Sequence, residues 1–274
     1  MAQMQGRRAP LVFAPSGVYS PGMMNEPEIV YGRQPVCELL KAGRREVKRL
    51  LMANNVRRSA AAIVQFLKWA EKRGLEVQPV AVFELDRLCR SGNHQGVAAV
   101  VADYAYVELA DLLEGGGDRK LPPLLLLVDH VQDPQNLGSM LRSADAAGVN
   151  GVVIPRHRAA SVTPAVVRAS AGAAEHVKVA QVGNLHQAML TLKEQGIRLI
   201  GLEGSSASTP YEEADLTGPV GLVIGSEEEG LGKLVHNTCD LVVRLPMRGR
   251  VGSLNAAVAA AIALFEVRRR QSAG

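Results

Sequence analysis

The chain has 274 residues, 47% of them hydrophobic, with 31 Lys/Arg against 27 Asp/Glu and a net charge of +4. That length holds one large domain or two modest ones, with enough apolar content for a buried core. No apolar run reaches the roughly eighteen residues of a membrane helix, and the stretch 11–15 is too short and Pro-broken for a secretory signal, so the expected location is the cytoplasm. Cys37, Cys89 and Cys239 stand far apart with no CxxC or Cys/His spacing, which argues against a disulfide framework and against a metal site. The charge is unevenly spread. Residues 28–101 carry 13 Lys/Arg against 7 Asp/Glu, and residues from 102 onward carry 16 against 19. A basic first part on a slightly acidic second part suits either a polyanion partner or a solvated, charge-rich surface.

In chain order, residues 1–27 hold Pro10, Pro15 and Pro21 among Gly and Ser, show no period, and read as a disordered extension. Residues 28–104 read as a small α/β unit. Strands are expected at 47–52, 75–80 and 97–101, and a helix over 59–73, where Ile63, Phe66, Leu67 and Ala70 keep helical spacing. Its basic residues Arg44, Arg45, Lys48, Arg49, Arg57 and Arg58 crowd one loop-strand-loop region. Residues 105–122, with Gly115, Gly116 and Gly117, read as a linker.

Residues 123–274 alternate between apolar runs (124–129, 151–154, 177–180, 197–202, 220–224, 241–245) and helical stretches (136–147, 164–170, 184–195, 232–237, 253–270). Continuous apolar runs mark strands buried on both faces. The expectation is an α/β fold with a mostly parallel sheet covered by helices and ligands beyond the strand C-terminal ends.

Three polar clusters follow those strands. In the first, Asn136 can cap a helix beginning at Leu137, and Arg142 lies off its apolar stripe, either pairing with Asp145 or reaching an anion or ribose. The second runs Ile224, Gly225, Ser226, Glu227, Glu228, Glu229, Gly230. Three successive carboxylates are wrong for a phosphate cradle; they fit an acidic surface turn or a ligand with a cation and hydroxyls, such as S-adenosylmethionine. The third includes Leu245, Met247, Arg248, Arg250, Ser253, Leu254 and Asn255 ahead of an Ala-rich helix, with Ser253 a plain cap or part of a pocket rim. No G-x-G-x-x-G, P-loop lysine or nucleophile elbow is present, which weakens the dinucleotide, nucleotide-hydrolase and serine-hydrolase classes.

These clusters, in this order and spacing, resemble the three motifs of the SpoU/TrmH ribose methyltransferases: Asp133 to Asp145 with Asn136 and Arg142, Ile224 to Leu231 with Glu227, and Leu245 to Asn255 with Ser253. The segment 170–177 resembles one lying between the first two motifs, while Tyr31 to Val36 and His94 to Val97 resemble the RlmB-like subgroup, which methylates a guanosine ribose of large-subunit (23S) rRNA. Glu228 and Ala257 depart from the common pattern, where Gly and Ser are frequent.

The resemblance implies a SPOUT domain with a deep trefoil knot, a homodimer, no metal, and a small L30e-like RNA-binding domain over 28–104. It implies that Asn136, Arg142, Glu227, Ser253 and Asn255 line the reaction centre. Leu202, Glu203, Gly204, Ile224, Gly225, Gly230, Leu245, Met247, Ser253 and Leu254 would hold S-adenosylmethionine, and Arg33, Arg44, Arg45, Lys48, Arg57 and Arg58 would meet RNA. Two other readings stand beside rRNA methylation: a tRNA ribose methyltransferase, and an RNA-binding or ribosome-assembly protein without activity.

Overall fold

The computed structural model describes residues 27–114, 120–205, 208–227 and 229–273. The expectations for the extension up to residue 26, for Gly115, Gly116 and Gly117, and for Glu228 fall outside them.

The first unit holds strands β1 (Glu28–Tyr31), β2 (Val47–Ala53), β3 (Val77–Val80) and β4 (Val97–Val101), ordered β1-β4-β2-β3. Helices α1 (Arg33–Ala42) and α2 (Ala61–Lys72) cover one face and α3 (Val82–Cys89) the other. Strand alternation divides β2 between them: Leu50 and Met52 pack with α1 and α2, Leu51 and Ala53 with α3. The elements β1, α1 and α3 were not individually legible in the sequence. α1 is only 10 residues long and carries Pro35, while α3 has only 8 residues.

The second unit is a seven-stranded sheet, parallel throughout, with β5 (Leu124–Val128), β6 (Gly151–Pro155), β7 (Val179–Val182), β8 (Arg198–Leu202), β9 (Thr209–Pro210), β10 (Val220–Ile224) and β11 (Leu241–Arg244). Their order is β7-β6-β5-β10-β8-β11-β9. The chain therefore winds from β5 outward to β7, then returns to build the other half beyond β10. Helices α4 (Pro134–Ala146), α5 (Pro164–Ala169) and α8 (Ala256–Ala273) pack on one side, α6 (Leu185–Glu194) and α7 (Lys233–Thr238) on the other. On β5 this sends Leu124 and Leu126 one way, Leu125 and Leu127 the other. Among the described residues no helix is long and apolar enough to cross a membrane. Cys37 and Cys89 are buried, Cys239 is half-buried, and all three are free thiols.

Two helix starts differ from the sequence expectation. α4 begins at Pro134, and its cap is Asp133, whose Oδ1 accepts from the Gln135 amide at 2.9 Å. Asn136, inside the first turn, is released from capping. α8 begins at Ala256 and is capped by Asn255, whose Oδ1 accepts from the amides of Ala257 (3.0 Å) and Val258 (3.3 Å), so Ser253 is not the cap. In both cases a neighbouring Asp or Asn satisfies the orphan amides of the first turn.

The two units share one continuous apolar cluster. The junction is charged as well. The Arg45 side chain is 1% exposed, and its guanidinium donates to Glu175 Oε1 at 3.1 Å, to Glu28 Oε2 and to the Ala102 carbonyl. Arg44 donates to the carbonyls of Val177 (2.9 Å) and His176 (3.3 Å), the Tyr104 hydroxyl to the Ala174 carbonyl (2.8 Å). Burial raises the Glu175 carboxyl above its ordinary pKa, with Arg45 opposing. The segment 170–177 is thus the seat of the small domain. Gly172, at φ +91°, permits the approach, since a Cβ there would stand 2.6 Å from Cβ of Glu38. The connection after residue 104 is docked rather than slack: Val107 bridges to Ala180, and Leu112 is fully buried.

Candidate active site

Because the sheet is parallel, all its strand C-termini share one edge, and the loops leaving them enclose two adjoining hollows. A cavity forms between the exits of β8, β10 and β11. Leu202, Glu203 and Gly204 line it from the first, Ile224, Gly225 and Gly230 from the second, Leu245, Met247, Ser253 and Leu254 from the third, and Ala256 and Ala259 of α8 close it. All ten residues expected around a cofactor thus stand in one wall. Gly225 makes the 226–230 turn possible: a Cβ there would fall 2.1 Å from the Gly230 carbonyl carbon. The turn is tied by Ser226 N to Gly230 O (3.2 Å) and Gly230 N to Ser226 O (3.0 Å), with Gly230 itself at φ +65°.

The second hollow is a polar cleft. His130, Gln132 and Asp133 enter from the β5 exit, Asn136 from the first turn of α4, Arg158 from the β6 exit, and Glu229 from the β10 exit. Ser226, Glu227 and Ala256 line both hollows.

Glu227 stands on this partition within a closed triangle. Asn136 Nδ2 donates to Glu227 Oε1 (3.1 Å), Asn255 Nδ2 to Asn136 Oδ1 (2.8 Å) and to Glu227 Oε1, and the Ala256 amide to the same oxygen (3.2 Å). Among the described residues nothing donates to Oε2, and no cation pairs with Glu227. The carboxylate is held by amides alone, one oxygen spent on position and the other available to a ligand.

The remaining expected site residues part company. Ser253 lines the cavity outside the triangle. Arg142 is exposed on α4, six residues and about 9 Å of helix rise beyond Asn136. It lines neither hollow and, among the described residues, forms no ion pair with Asp145. Of the residues expected to meet RNA, Lys48, Arg57 and Arg58 are exposed. Arg33 and Arg57 border a shallow hollow with Asn55, His94 and Gln95, where Arg33 Nε donates to the Gln95 carbonyl at 3.1 Å. Arg45 is corrected: buried and ion-paired across the junction, it presents nothing to a phosphate. Arg44 is exposed and donates to the same junction through Nη1. No group of His, Cys, Asp or Glu among the described residues could hold a metal ion.

Sequence reasoning missed the cleft residues His130, Arg158 and Glu229 as a set. Their one signal was position, directly after strands whose C-terminal ends were expected to carry ligands. His130 (φ +56°) and Arg158 (φ +57°) are both left-handed, a conformation costing a side-chain-bearing residue about 1 kcal/mol. Beneath His130, the buried Asp129 accepts from the Gly232 amide through Oδ2 (2.8 Å), while its Oδ1, without a hydrogen-bond partner, lies against His130 Nδ1.

The chain matches known proteins over both units. The SpoU rRNA Methylase family matches residues 123–265, and the family described as RNA 2'-O ribose methyltransferase substrate binding matches 29–107. It is 41% identical to a TrmH family tRNA/rRNA methyltransferase of Bacillus subtilis over 91% of this chain and 98% of that one. A TrmH family tRNA/rRNA methyltransferase of Staphylococcus saprophyticus is 40% identical over 89% of this chain and 96% of its own. Among solved structures, the SpoU methyltransferase AviRb from Streptomyces viridochromogenes, in complex with AdoMet, superposes with a TM-score of 0.71 at 28% identity, covering 90% of this chain and 91% of that one. An AdoMet-bound rRNA methyltransferase from Sinorhizobium meliloti gives a TM-score of 0.71 at 25% identity over 88% and 87%. With the amide-held glutamate at the strand ends and both units matched along their length, the chain belongs to the SpoU rRNA methylase family, an RNA methyltransferase with its own substrate-binding domain.

Proposed function

We propose that this protein transfers a methyl group from S-adenosylmethionine to a ribose 2'-hydroxyl in RNA, with a guanosine of large-subunit rRNA as the target. The observation that carries this reading is the Asn136–Glu227–Asn255 triangle standing between a cavity rich in apolar side chains and a polar cleft. The cavity suits the cofactor. Leu202, Ile224, Leu245, Met247 and Leu254 offer apolar contact to an adenosine and a thioether chain, and Glu203 and Glu227 add carboxylates for hydroxyls and a cation. When bound, S-adenosylmethionine supplies an electrophilic methyl on a sulfonium.

The protein's own residues position and polarise the acceptor. Glu227 Oε2 is open to a hydrogen bond from the acceptor hydroxyl, and Asn136 and Asn255 fix the carboxylate's orientation through Oε1, so that the hydroxyl is held in line without reorganisation. Ser253 contributes a hydroxyl at the cavity wall. In this reading Arg142, which lines neither hollow of a single chain, stabilises developing alkoxide charge in a site completed by a second copy.

We place that assembly in a homodimer. The exposed stripe Val258 (48%), Ile262 (41%) and Phe265 (51%) on α8 repeats at helical spacing beside α4 and gives a second copy an apolar seam. The same reading extends to a trefoil-knotted catalytic domain and to action in the cytoplasm.

The test is incubation of purified protein with labelled S-adenosylmethionine and unmodified rRNA and tRNA, followed by nucleoside mass spectrometry. The expected product is 2'-O-methylguanosine in large-subunit rRNA. Label confined to tRNA overturns the substrate. Failure to transfer to any RNA, together with no calorimetric binding of S-adenosylmethionine, overturns the activity.

A further inference from the structure

We propose that the polar cleft on the far side of Glu227 seats the acceptor nucleotide, with Arg158 clasping the backbone phosphate beside the reacting ribose and His130 accepting a hydrogen bond from the same nucleotide. The inference rests on the RNA-methylation reading and names the subsite that reading leaves open.

A ribose whose 2'-oxygen reaches Glu227 carries its 3'-phosphate only a few bonds away, so that phosphate must lie within the hollow or at its rim. An anion so placed needs a cation, because the neighbourhood is acidic: Asp133, Glu227 and Glu229 all line the cleft. Two of these are already engaged, Asp133 by the Gln135 amide and Glu227 by Asn136, Asn255 and Ala256. Among the described residues lining the cleft, the one Lys or Arg is Arg158. It is exposed and makes no hydrogen bond or ion pair among the described residues, in contrast to Arg45, which is buried and spent on the domain junction. A guanidinium left without a partner beside engaged carboxylates is suited to a phosphate, which it can meet with two parallel hydrogen bonds.

The backbone supports the assignment. The loops carrying His130 and Arg158 leave adjacent strands and are tied by the Ala160 amide donating to the Val131 carbonyl at 2.9 Å. Each turns its side chain to the cleft from a left-handed residue, φ +56° and +57°, a conformation that glycine would adopt without strain. Strain retained at two facing side chains points to their use. Asp129 Oδ1 lies against His130 Nδ1, so Nε2 is the ring nitrogen left for a hydroxyl or base of the nucleotide.

The test uses the whole protein and an unmodified in vitro transcript of large-subunit rRNA. Arg158→Gly removes the guanidinium while relieving the left-handed backbone, so its melting temperature is expected to stay level or rise. S-adenosylmethionine affinity should stay within twofold. Affinity for the transcript should fall about five- to tenfold at low salt, and the slope of log affinity against log salt should shrink by about 0.7 to 0.9, the signature of one lost phosphate contact. Arg158→Lys should keep the slope. His130→Gly should raise KM for the transcript with the slope unchanged. Unchanged transcript affinity and slope in Arg158→Gly, in a preparation whose wild type methylates RNA, overturns this inference alone. A wild type that methylates no RNA overturns the reading beneath it.

Discussion

Glu175 and Glu227 both lie in connections between strands and are held by residues far away in sequence, yet they are treated oppositely. Glu175 is 1% exposed and met by the guanidinium of Arg45, with Arg44 capping the carbonyls beside it. Glu227 is exposed and met only by the amides of Asn136, Asn255 and Ala256, on one oxygen. At the domain junction, charge is cancelled so that burial is tolerable. At the strand ends it is oriented and left uncancelled, which suits a carboxylate that must meet a cation or a hydroxyl from outside. The contrast separates a carboxylate that joins two units from one that serves a ligand.

The sharpest way to break the contrast is to remove the charge partner at the junction. Arg45→Met should cost about 3–5 kcal/mol of stability by leaving the carboxylates of Glu175 and Glu28 uncompensated, read by urea unfolding, while transfer by the remaining folded protein stays near normal. An unfolding midpoint close to wild type would show the pair to be incidental. Next comes Glu227→Gln, expected to slow methyl transfer about 10²–10³-fold, or roughly 2.7–4 kcal/mol in the barrier, with almost no change in melting temperature. A large loss of stability instead would make Glu227 a structural residue like Glu175.

Smaller effects sharpen the comparison. Gly172→Ala combines a positive φ with a 2.6 Å approach to Glu38, and should weaken domain docking by about 1–3 kcal/mol, measured as a lower melting temperature. Asp133→Ala should remove the α4 cap at about 1 kcal/mol, whereas Asn136→Ala should slow transfer and leave helix stability alone. The smallest change is expected at a third carboxylate, Glu266, whose hydrogen bonds from Arg269 and Arg270 hold it down to about 2. Its folded pKa lies below the unfolded value of 4.5, so its contribution is complete above that value and disappears as pH falls through about 2. Glu266→Gln should therefore cost less than about 1 kcal/mol at neutral pH, and the difference from wild type should vanish in strong acid.

Much of this molecule was open to pattern reading because the physics involved is local. Five of the six expected runs in the larger unit coincide with strands to within one residue at each end, and β10 spans the expected 220–224. β7 begins at Val179, because residues 173–177 form the turn that receives the small domain. Helix starts were misplaced where two candidate caps stood close together: Asp133 won over Asn136, and Asn255 over Ser253, a choice made by the path of the incoming chain. The basic cluster at residues 44–58 was a composite, with Arg45 buried at the junction, Arg44 exposed but donating to it, and Lys48, Arg57 and Arg58 exposed without a part in it. Charge counting cannot distinguish these, since both fates use the same residue type.

By itself the sequence determined the parallel α/β pattern of the larger unit and the order of its polar clusters, because apolar runs and polar strand exits are properties of contiguous residues, while Asn136, Arg142, Glu227, Ser253 and Asn255 were singled out by the resemblance of those clusters to a family's motifs. Tertiary structure alone decided that these three form one triangle, that Arg142 stands apart from it, and that Arg158 and His130 face it across a cleft. Those relations join positions 91 and 119 residues apart, and only the return of β10 to the side of β5 brings them within hydrogen-bond reach.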